Sequence, residues 1–244
     1  MNIIINGAGG RMGKALTAMI QTGCRNAKLA GAVDPYVQHD GIVAQLTECT
    51  AADCIIDFSN HAGTQTLTNY AVDHNLPLVV ATTGHTPEEV DLIHAAAKKI
   101  PVFFSGNMSL GIALLTELAK QTAQMFPDAN IEIVEAHHNQ KLDAPSGTAL
   151  MLAKAVQEVR PQAQPLVGRN GSGKRTQQEI GIHSLRMGNT VGWHEVIVNT
   201  GTQIITLKHE AQDRALFAEG ALAAAAFLIG KAPGLYTMKD IVKE

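Results

Sequence analysis

Two adjacent histidines, His137 and His138, and a lysine three residues on, Lys141, stand in the run E-A-H-H-N-Q-K-L-D-A-P-S-G-T. An unperturbed imidazole titrates near about 6.5 and an ammonium near about 10.4. Either can hand over a proton at neutral pH: the lysine as it stands, a histidine with tuning by a neighbouring anion. Asp143 to Thr148 then read as a turn that opens a helix at about Ala149. Ser146, Gly147 and Thr148 stand at that helix start, where free backbone N–H groups favour an anion. Gly147 lets a ligand approach the backbone, and Thr148 adds a hydroxyl. A proton donor beside an anion site suits an anionic substrate that is protonated as it reacts. Asp143 is the internal competitor, and the anion reading loses ground if its carboxylate fills the helix start. Taken alone, the two histidines read more plainly as structural; Lys141 and the helix start shift that balance. Neighbouring histidines point opposite ways on a strand, and no Cys or His-x-x-x-His partner lies nearby, so no metal is expected.

These residues need a strand to deliver them, and Ile131, Ile133 and Val134 supply an alternating apolar run before the histidines. At the chain start a second strand, Ile3-Ile4-Ile5, leads into Gly7-Ala8-Gly9-Gly10-Arg11-Met12-Gly13 and then an amphipathic helix through Ile20. Strand, glycine turn, helix is the context in which such a motif binds a dinucleotide pyrophosphate. The spacing is unusual: position 12 is Met, and Gly13 fills the third small position. Leu29 to Val33 reads as the next strand and ends in Asp34, where an acidic residue would hold a ribose 2′-hydroxyl. Asp34 repels a 2′-phosphate, so the sequence leans to NADH, although Arg11 or a cation brought near by the fold could accommodate NADPH. Asp34 also reads as a turn former before Pro35.

Strands at 53–58, 78–81 and 102–104 alternate with helices at 63–74 and 87–99, the second opened by Thr86 and Pro87. The pattern predicts an α/β fold with a Rossmann-like, doubly wound parallel sheet. Ligands of such sheets sit beyond the carboxyl ends of the strands. Phe58, Ala81-Thr82-Thr83-Gly84 and Ser105-Gly106-Asn107-Met108 fall there and are candidate cofactor contacts. After residue 108 the pattern changes to a helix at 110–125, the histidine strand, a helix at about 149–159, and a Gly- and cation-rich loop at 166–176. That loop is a candidate lid over its segment 168–174. Runs at 180–185, 191–198 and 204–209, separated by Asn/Gly turns, argue antiparallel pairing and hence a mixed or antiparallel sheet in an α+β substrate domain. An exposed face of that sheet could carry an oligomer interface with Trp193 as anchor, although a core position is the plainer reading of the Trp. The Ala-rich helix at 214–230 is expected to return to the first domain. The predicted division is therefore 1–108 with 214–244 for the dinucleotide and 109–213 for substrate and oligomerisation. Arg214 sits at the hinge and is counted with the cofactor residues.

The chain has 244 residues, 45% hydrophobic and 17% charged, with a net charge of −3. This excludes a disordered chain and gives no reason to expect a nucleic-acid or membrane partner. No apolar run is long enough for a membrane span and no signal peptide opens the chain. Cys24, Cys49 and Cys54 lack metal spacing and read as reduced cytoplasmic thiols.

With these motifs placed, the chain resembles the dihydrodipicolinate (4-hydroxy-tetrahydrodipicolinate) reductase family. The resemblance rests on the long run at 135–149, on G-A-G-G-R-M-G, on I-D-F-S at 56–59, T-T-G at 82–84, G-N-M-S-L-G at 106–111 and R-M-G-N-T-V-G-W-H at 186–194. It implies hydride transfer from NADH or NADPH to a cyclic dicarboxylate, with loss of water, in lysine (diaminopimelate) biosynthesis. It also implies a cytoplasmic homotetramer joined through its central sheet. His137 falls on the family's proton donor/acceptor and Lys141 on its proton donor; His138, Gly147 and Thr148 fall on substrate-carboxylate positions. Gly7 to Met12, Asp34, Ala81 to Thr83 and Ser105 to Met108 fall on cofactor positions. Ala81 replaces a glycine common in the family, and Pro35 stands where some members carry an arginine for the NADPH phosphate.

Overall fold

The computed structural model describes residues 1–37 and 41–243. It divides into two compact units, Met1–Leu110 with Ala215–Glu244, and Gly111–Arg214. Arg214 is thus the last residue of the second unit.

The first unit is built on a seven-stranded sheet. Its strands are β1 (Asn2–Asn6), β2 (Lys28–Val33), β3 (Ile42–Val43), β4 (Cys54–Asp57), β5 (Leu78–Val80), β6 (Pro101–Phe104) and β12 (Gly234–Tyr236). They lie in the order β12-β6-β5-β4-β1-β2-β3, and every pairing is parallel. Parallel strands covered on both faces require continuous apolar runs. Ile3, Ile4, Ile5, Ile55, Ile56 and Val79 meet that requirement and are fully buried. Helices α1 (Arg11–Gln21) and α6 (Ala215–Leu228) pack together, as do α2 (Thr64–Asp73) and α3 (Pro87–Ala97). α3 starts as its sequence predicts: Thr86 accepts from the Glu89 N–H, Glu89 accepts from the Thr86 N–H, and Pro87 occupies the first turn. Such a reciprocal cap is worth about 1 kcal/mol. In α6, Gly220 sits so close to the Met108 carbonyl that a Cβ would lie 1.7 Å from its oxygen. Met108 is accordingly 2% exposed.

The second unit holds a five-stranded sheet of β7 (Asn130–His137), β8 (Gln164–Val167), β9 (Glu179–Arg186), β10 (Gly192–Asn199) and β11 (Ile204–Ala211). The order is β11-β10-β7-β9-β8. The sheet is mixed, one of the two forms expected: β10 runs antiparallel to β7 and β11, whereas β7 and β8 each run parallel to β9. The turn after β9 does not close a hairpin, because β7 lies between β9 and β10. Helices α4 (Leu110–Met125) and α5 (Gly147–Val159) cover one face, with Ile112, Leu115, Leu152 and Val156 packed on Ile131, Ile133, Ile182 and Val196. Arg160, just past α5, donates to the carbonyls of Ala123, Phe126 and Ala129 and so satisfies the end of α4. Trp193 is not in this core. It is half-buried on the other face, with the Lys208 ammonium 5.0 Å from its ring centroid. α7 (Met238–Lys243) ends the described chain.

Among the described residues no helix is long and apolar enough to cross a membrane.

Candidate active site

The glycine turn follows β1 as a tight cradle. Gly7 takes φ +83°, and a Cβ there would lie 2.4 Å from the Phe58 carbonyl oxygen, so no other residue fits without strain. A Cβ on Gly13 would lie 2.3 Å from the Gly7 carbonyl oxygen. This close helix–turn packing explains why the third small residue is at 13 and not 12. Gly10 precedes α1 with extended backbone and no side-chain cap, which leaves the first N–H groups of the helix open for a phosphate. Asp34 serves the turn in two ways. Its Oδ2 accepts from the Gly9 N–H at 3.1 Å and its Oδ1 from the Tyr36 N–H at 3.0 Å. It is a turn former and, through the same carboxylate, a clamp on the glycine loop.

Gly7, Gly10, Asp34 and Phe58 line one cleft of about 600 Å³, together with Tyr36, Ser59, Thr66 and Tyr70. Among the described residues that line it there is no lysine or arginine. Thr82 joins from β5 through Asp57: it donates to Asp57 Oδ2 at 2.6 Å and accepts from the Ser59 N–H at 2.9 Å. Burial pushes the Asp57 carboxyl up, against hydrogen bonds from Ser59, Thr82 and Asn6 that stabilise the anion. Asp57 thereby ties the ends of β1, β4 and β5 together. A Cβ on Gly106 would come 3.8 Å from Thr83 Cγ2, so these two loops are neighbours. Ser105 donates to the Asn107 carbonyl, and Asn107 Oδ1 accepts from the Ser109 N–H at 2.9 Å. The remaining candidates lie apart from the cleft lining. Ala8, Ala81 and Met108 are buried, Gly9 is clamped by Asp34, Met12 is half-buried, and Arg11 and Arg214 are exposed.

The second constellation lies at the carboxyl end of β7. Glu135 and His137 are two apart on the strand and so share a face. His137 Nδ1 lies 2.6 Å from Glu135 Oε2. Glu135 is 0% exposed. Arg186, from the parallel neighbour β9, grips it as a fork, Nη1 to Oε2 at 3.0 Å and Nη2 to Oε1 at 2.8 Å. The Ser146 N–H adds a bond to Oε1 at 3.2 Å. Burial alone would raise the Glu135 carboxyl, but hydrogen bonds from Arg186, His137 and Ser146 oppose it, and the carboxyl is lowered to about 2. Burial lowers His137, with Glu135 pulling the other way. His194, from β10, places Nε2 3.1 Å from Ser146 Oγ, and burial followed by repulsion from His137 lowers it to about 4. The rings of His137 and His194 meet edge to face at 5.2 Å.

Ser146 is the N-cap of α5, and its Oγ accepts from the Ala149 N–H at 3.2 Å. Gly147 is exposed, and a Cβ there would meet nothing within 4 Å, so the first turn of α5 lies open. Asp143 does not fill it; its carboxylate pairs with Lys141 Nζ at 2.7 Å. Lys141 in turn lowers the Asp143 carboxyl. Thr148 is half-buried in that first turn, and His138 is half-buried with its carbonyl accepting from the Lys141 N–H. The structure thus brings His137, Ser146 and Gly147 to one end of the sheet and helix, with Lys141 on the connecting loop.

Glu135, Arg186 and His194 escaped sequence reasoning. The i, i+2 spacing of Glu135 and His137 on a strand was the one available signal. Arg186 and His194 reach the site only because β7 is inserted between β9 and β10. Glu135, His137 and His194 hold three ligand-capable atoms within 4.8 Å of one another, a cluster the histidine pair alone does not reveal. Yet each Glu135 oxygen already accepts two hydrogen bonds, and one in each pair comes from the Arg186 guanidinium. A metal cation there would meet a resident cation.

A parallel sheet with a glycine cradle at an open helix start, joined in one chain to a buried imidazole–carboxylate site, defines a pyridine-nucleotide-dependent reductase with a Rossmann fold. Family comparison agrees: residues 1–108 match the model of the dihydrodipicolinate reductase N-terminus, and residues 111–242 that of its C-terminus. The chain belongs to the dihydrodipicolinate reductase family. It is 44% identical over 248 residues to the 4-hydroxy-tetrahydrodipicolinate reductase of Caldanaerobacter subterraneus subsp. tengcongensis, covering 100% of this chain and 99% of the relative. It is 41% identical to the enzyme of the same name from Clostridium novyi, covering 99% and 98%. The fold resembles the dipicolinate-bound dihydrodipicolinate reductase from Paenisporosarcina sp. TG-14, with a TM-score of 0.82 over 99% of both chains at 24% identity.

Proposed function

We propose that this chain reduces 4-hydroxy-tetrahydrodipicolinate to tetrahydrodipicolinate with loss of water, using NAD(P)H, in lysine (diaminopimelate) biosynthesis. The observation that carries this reading is the E-A-H-H-N-Q-K-L-D-A-P-S-G-T segment, folded with an imidazole, an ammonium and an open helix start, in a chain matched end to end by relatives of that name. The dinucleotide fits the first unit: Gly7 and Gly10 let its pyrophosphate approach the backbone, the start of α1 favours its charge, and Asp34 takes the ribose hydroxyls. Its nicotinamide supplies the hydride.

In the second unit the first turn of α5, with Gly147 exposed, Thr148 half-buried and Ser146 as its buried cap, binds a substrate carboxylate, and His138 contributes a further polar contact. Lys141 exchanges Asp143 for the substrate and neutralises charge that builds up as hydride arrives. His137, lowered by burial, is neutral at neutral pH. It therefore accepts a proton at that pH and donates only after taking one up. Among the other assigned cofactor residues, Ala8 to Met12, Phe58, Ala81 to Thr83, Ser105 to Met108 and Arg214 support the dinucleotide.

NADH is the favoured cofactor, because Asp34 repels a 2′-phosphate and the described residues of the cleft lining include no lysine or arginine to offset it. The enzyme acts as a cytoplasmic homotetramer. Unpaired Cys24, Cys49 and Cys54 stay reduced there. The sheet face that carries Trp193 serves as the interface.

The test couples the purified protein to a synthase that makes the substrate from pyruvate and aspartate semialdehyde and follows NADH and NADPH absorbance. Oxidation of both is expected, with the higher kcat/KM for NADH. Oxidation of neither would overturn the proposal.

A further inference from the structure

The His137 imidazole is held from behind. A glutamate with no exposed surface is costly to fold around unless it is fully paired, and an apolar residue would serve the sheet as well. Glu135 is paired completely: two bonds from the Arg186 fork, one from the Ser146 N–H and one shared with His137 Nδ1. Arg186 also donates to the Asp143 carbonyl, so the same guanidinium fixes the loop that carries Lys141. On the far side of the ring Gly192 leaves room: a Cβ there would lie 2.8 Å from His137 Nε2.

From this geometry we propose that Glu135 and Arg186 are positioning residues that fix the His137 proton on Nδ1 and present Nε2 as its reacting atom. The inference rests on His137 handling a proton in the proposed reaction. The logic is that of any buried carboxylate behind an imidazole: an ionised acceptor can only receive, so the nitrogen facing it must carry hydrogen. Glu135 is held ionised well below neutral pH. The groups facing His137 are Glu135 on its own strand, Arg186 on β9, His194 on β10, and Lys141 and Asp143 on the following loop. Of these Glu135 favours the charged imidazole, and Lys141 and Arg186 oppose it. Removing the Glu135 charge therefore shifts His137 further down.

The first measurement needs no variant of the pair. Long-range ¹⁵N–¹H spectra of the intact protein at neutral pH, with His137 assigned against His137→Gln, should show a protonated Nδ1 and a bare Nε2. A proton on Nε2 would overturn the proposal. Glu135→Gln keeps the shape and removes the charge. It should lower kcat on the order of 100-fold, the cost of losing reactive alignment, with an unchanged KM for the nucleotide. The acidic limb of the pH–rate profile should move to lower pH. Arg186→Lys keeps a cation without the fork, should lose less, and remains informative if Glu135→Gln does not fold. Wild-type kcat and an unmoved acidic limb in these variants, with only Tm reduced, would make the pair merely structural. Full turnover in His137→Gln would instead sink the reaction assignment, while the spectra would still report the tautomer.

Discussion

The nucleotide cleft and the histidine loop solve opposite problems. The cleft works by leaving atoms out. Gly7 and Gly13 let backbone approach backbone, and one carboxylate, Asp34, secures the turn by accepting from two N–H groups. The histidine loop works by putting side chains in. Four hydrogen bonds converge on Glu135, and three different strands supply His137, Arg186 and His194. The lesson is that adding an atom should damage the first region, whereas removing one should damage the second.

The largest effect is expected from subtraction. His137→Gln and Lys141→Ala should each lower kcat by about 10²- to 10⁴-fold, the range for losing a general acid or base. Nucleotide Kd, measured by fluorescence titration, should not move. A parallel loss of nucleotide affinity would break the contrast between the regions. Addition comes next. Gly7→Ala forces a Cβ against the Phe58 carbonyl at positive φ. It should cost about 1–3 kcal/mol of stability and weaken nucleotide binding, read from Tm and the same titration. An unchanged Tm would mean that the cradle is looser than its geometry.

The smallest effect is the pH dependence that the side-chain region adds to stability. His194 falls from 6.5 to about 4 in the folded chain, so the unfolded chain takes up its proton first and stability is lost as pH drops from 6.5 towards 4. Glu135, lowered from 4.5 to about 2, contributes stability that is complete above 4.5 and lost as pH falls towards 2. Tm should therefore decline in two overlapping stages on acidification. His194→Asn should flatten the upper stage, and an unaltered profile in that variant would remove His194 from the account.

The same contrast explains what could be read from the chain before its structure was seen. Backbone-built sites leave a spacing signature. The strand, the glycines and Asp34 lie within a short stretch, and the alternation of strands and helices that follows fixes a parallel sheet. The loop from His137 to Thr148 was legible for the same reason, since its groups are local. Glu135 was hidden because its residue type argues for exposure, although its position continues the face of Ile131 and Ile133. Arg186 and His194 were hidden because strand order is a tertiary fact. Asn/Gly turns suggested neighbouring hairpin strands, but β7 enters between β9 and β10 and turns a run of three into a mixed sheet. Trp193 was misjudged by the same cause, since its face depends on register. β3, β8 and β12, each of two to four residues, are too short to show a period.

The cation-rich loop after β8 is moored at both ends. Arg169 pairs with Glu179, and Arg175 bonds Glu132, Asn130 and the carbonyls of Ile131, Thr176 and Glu179. Between these moorings lies the tip, residues 170–174, exposed and without helix or strand, which spans at most roughly 17 Å when drawn out. That length is a short tether, so inserting a few glycines in the tip should change its reach without disturbing either anchor.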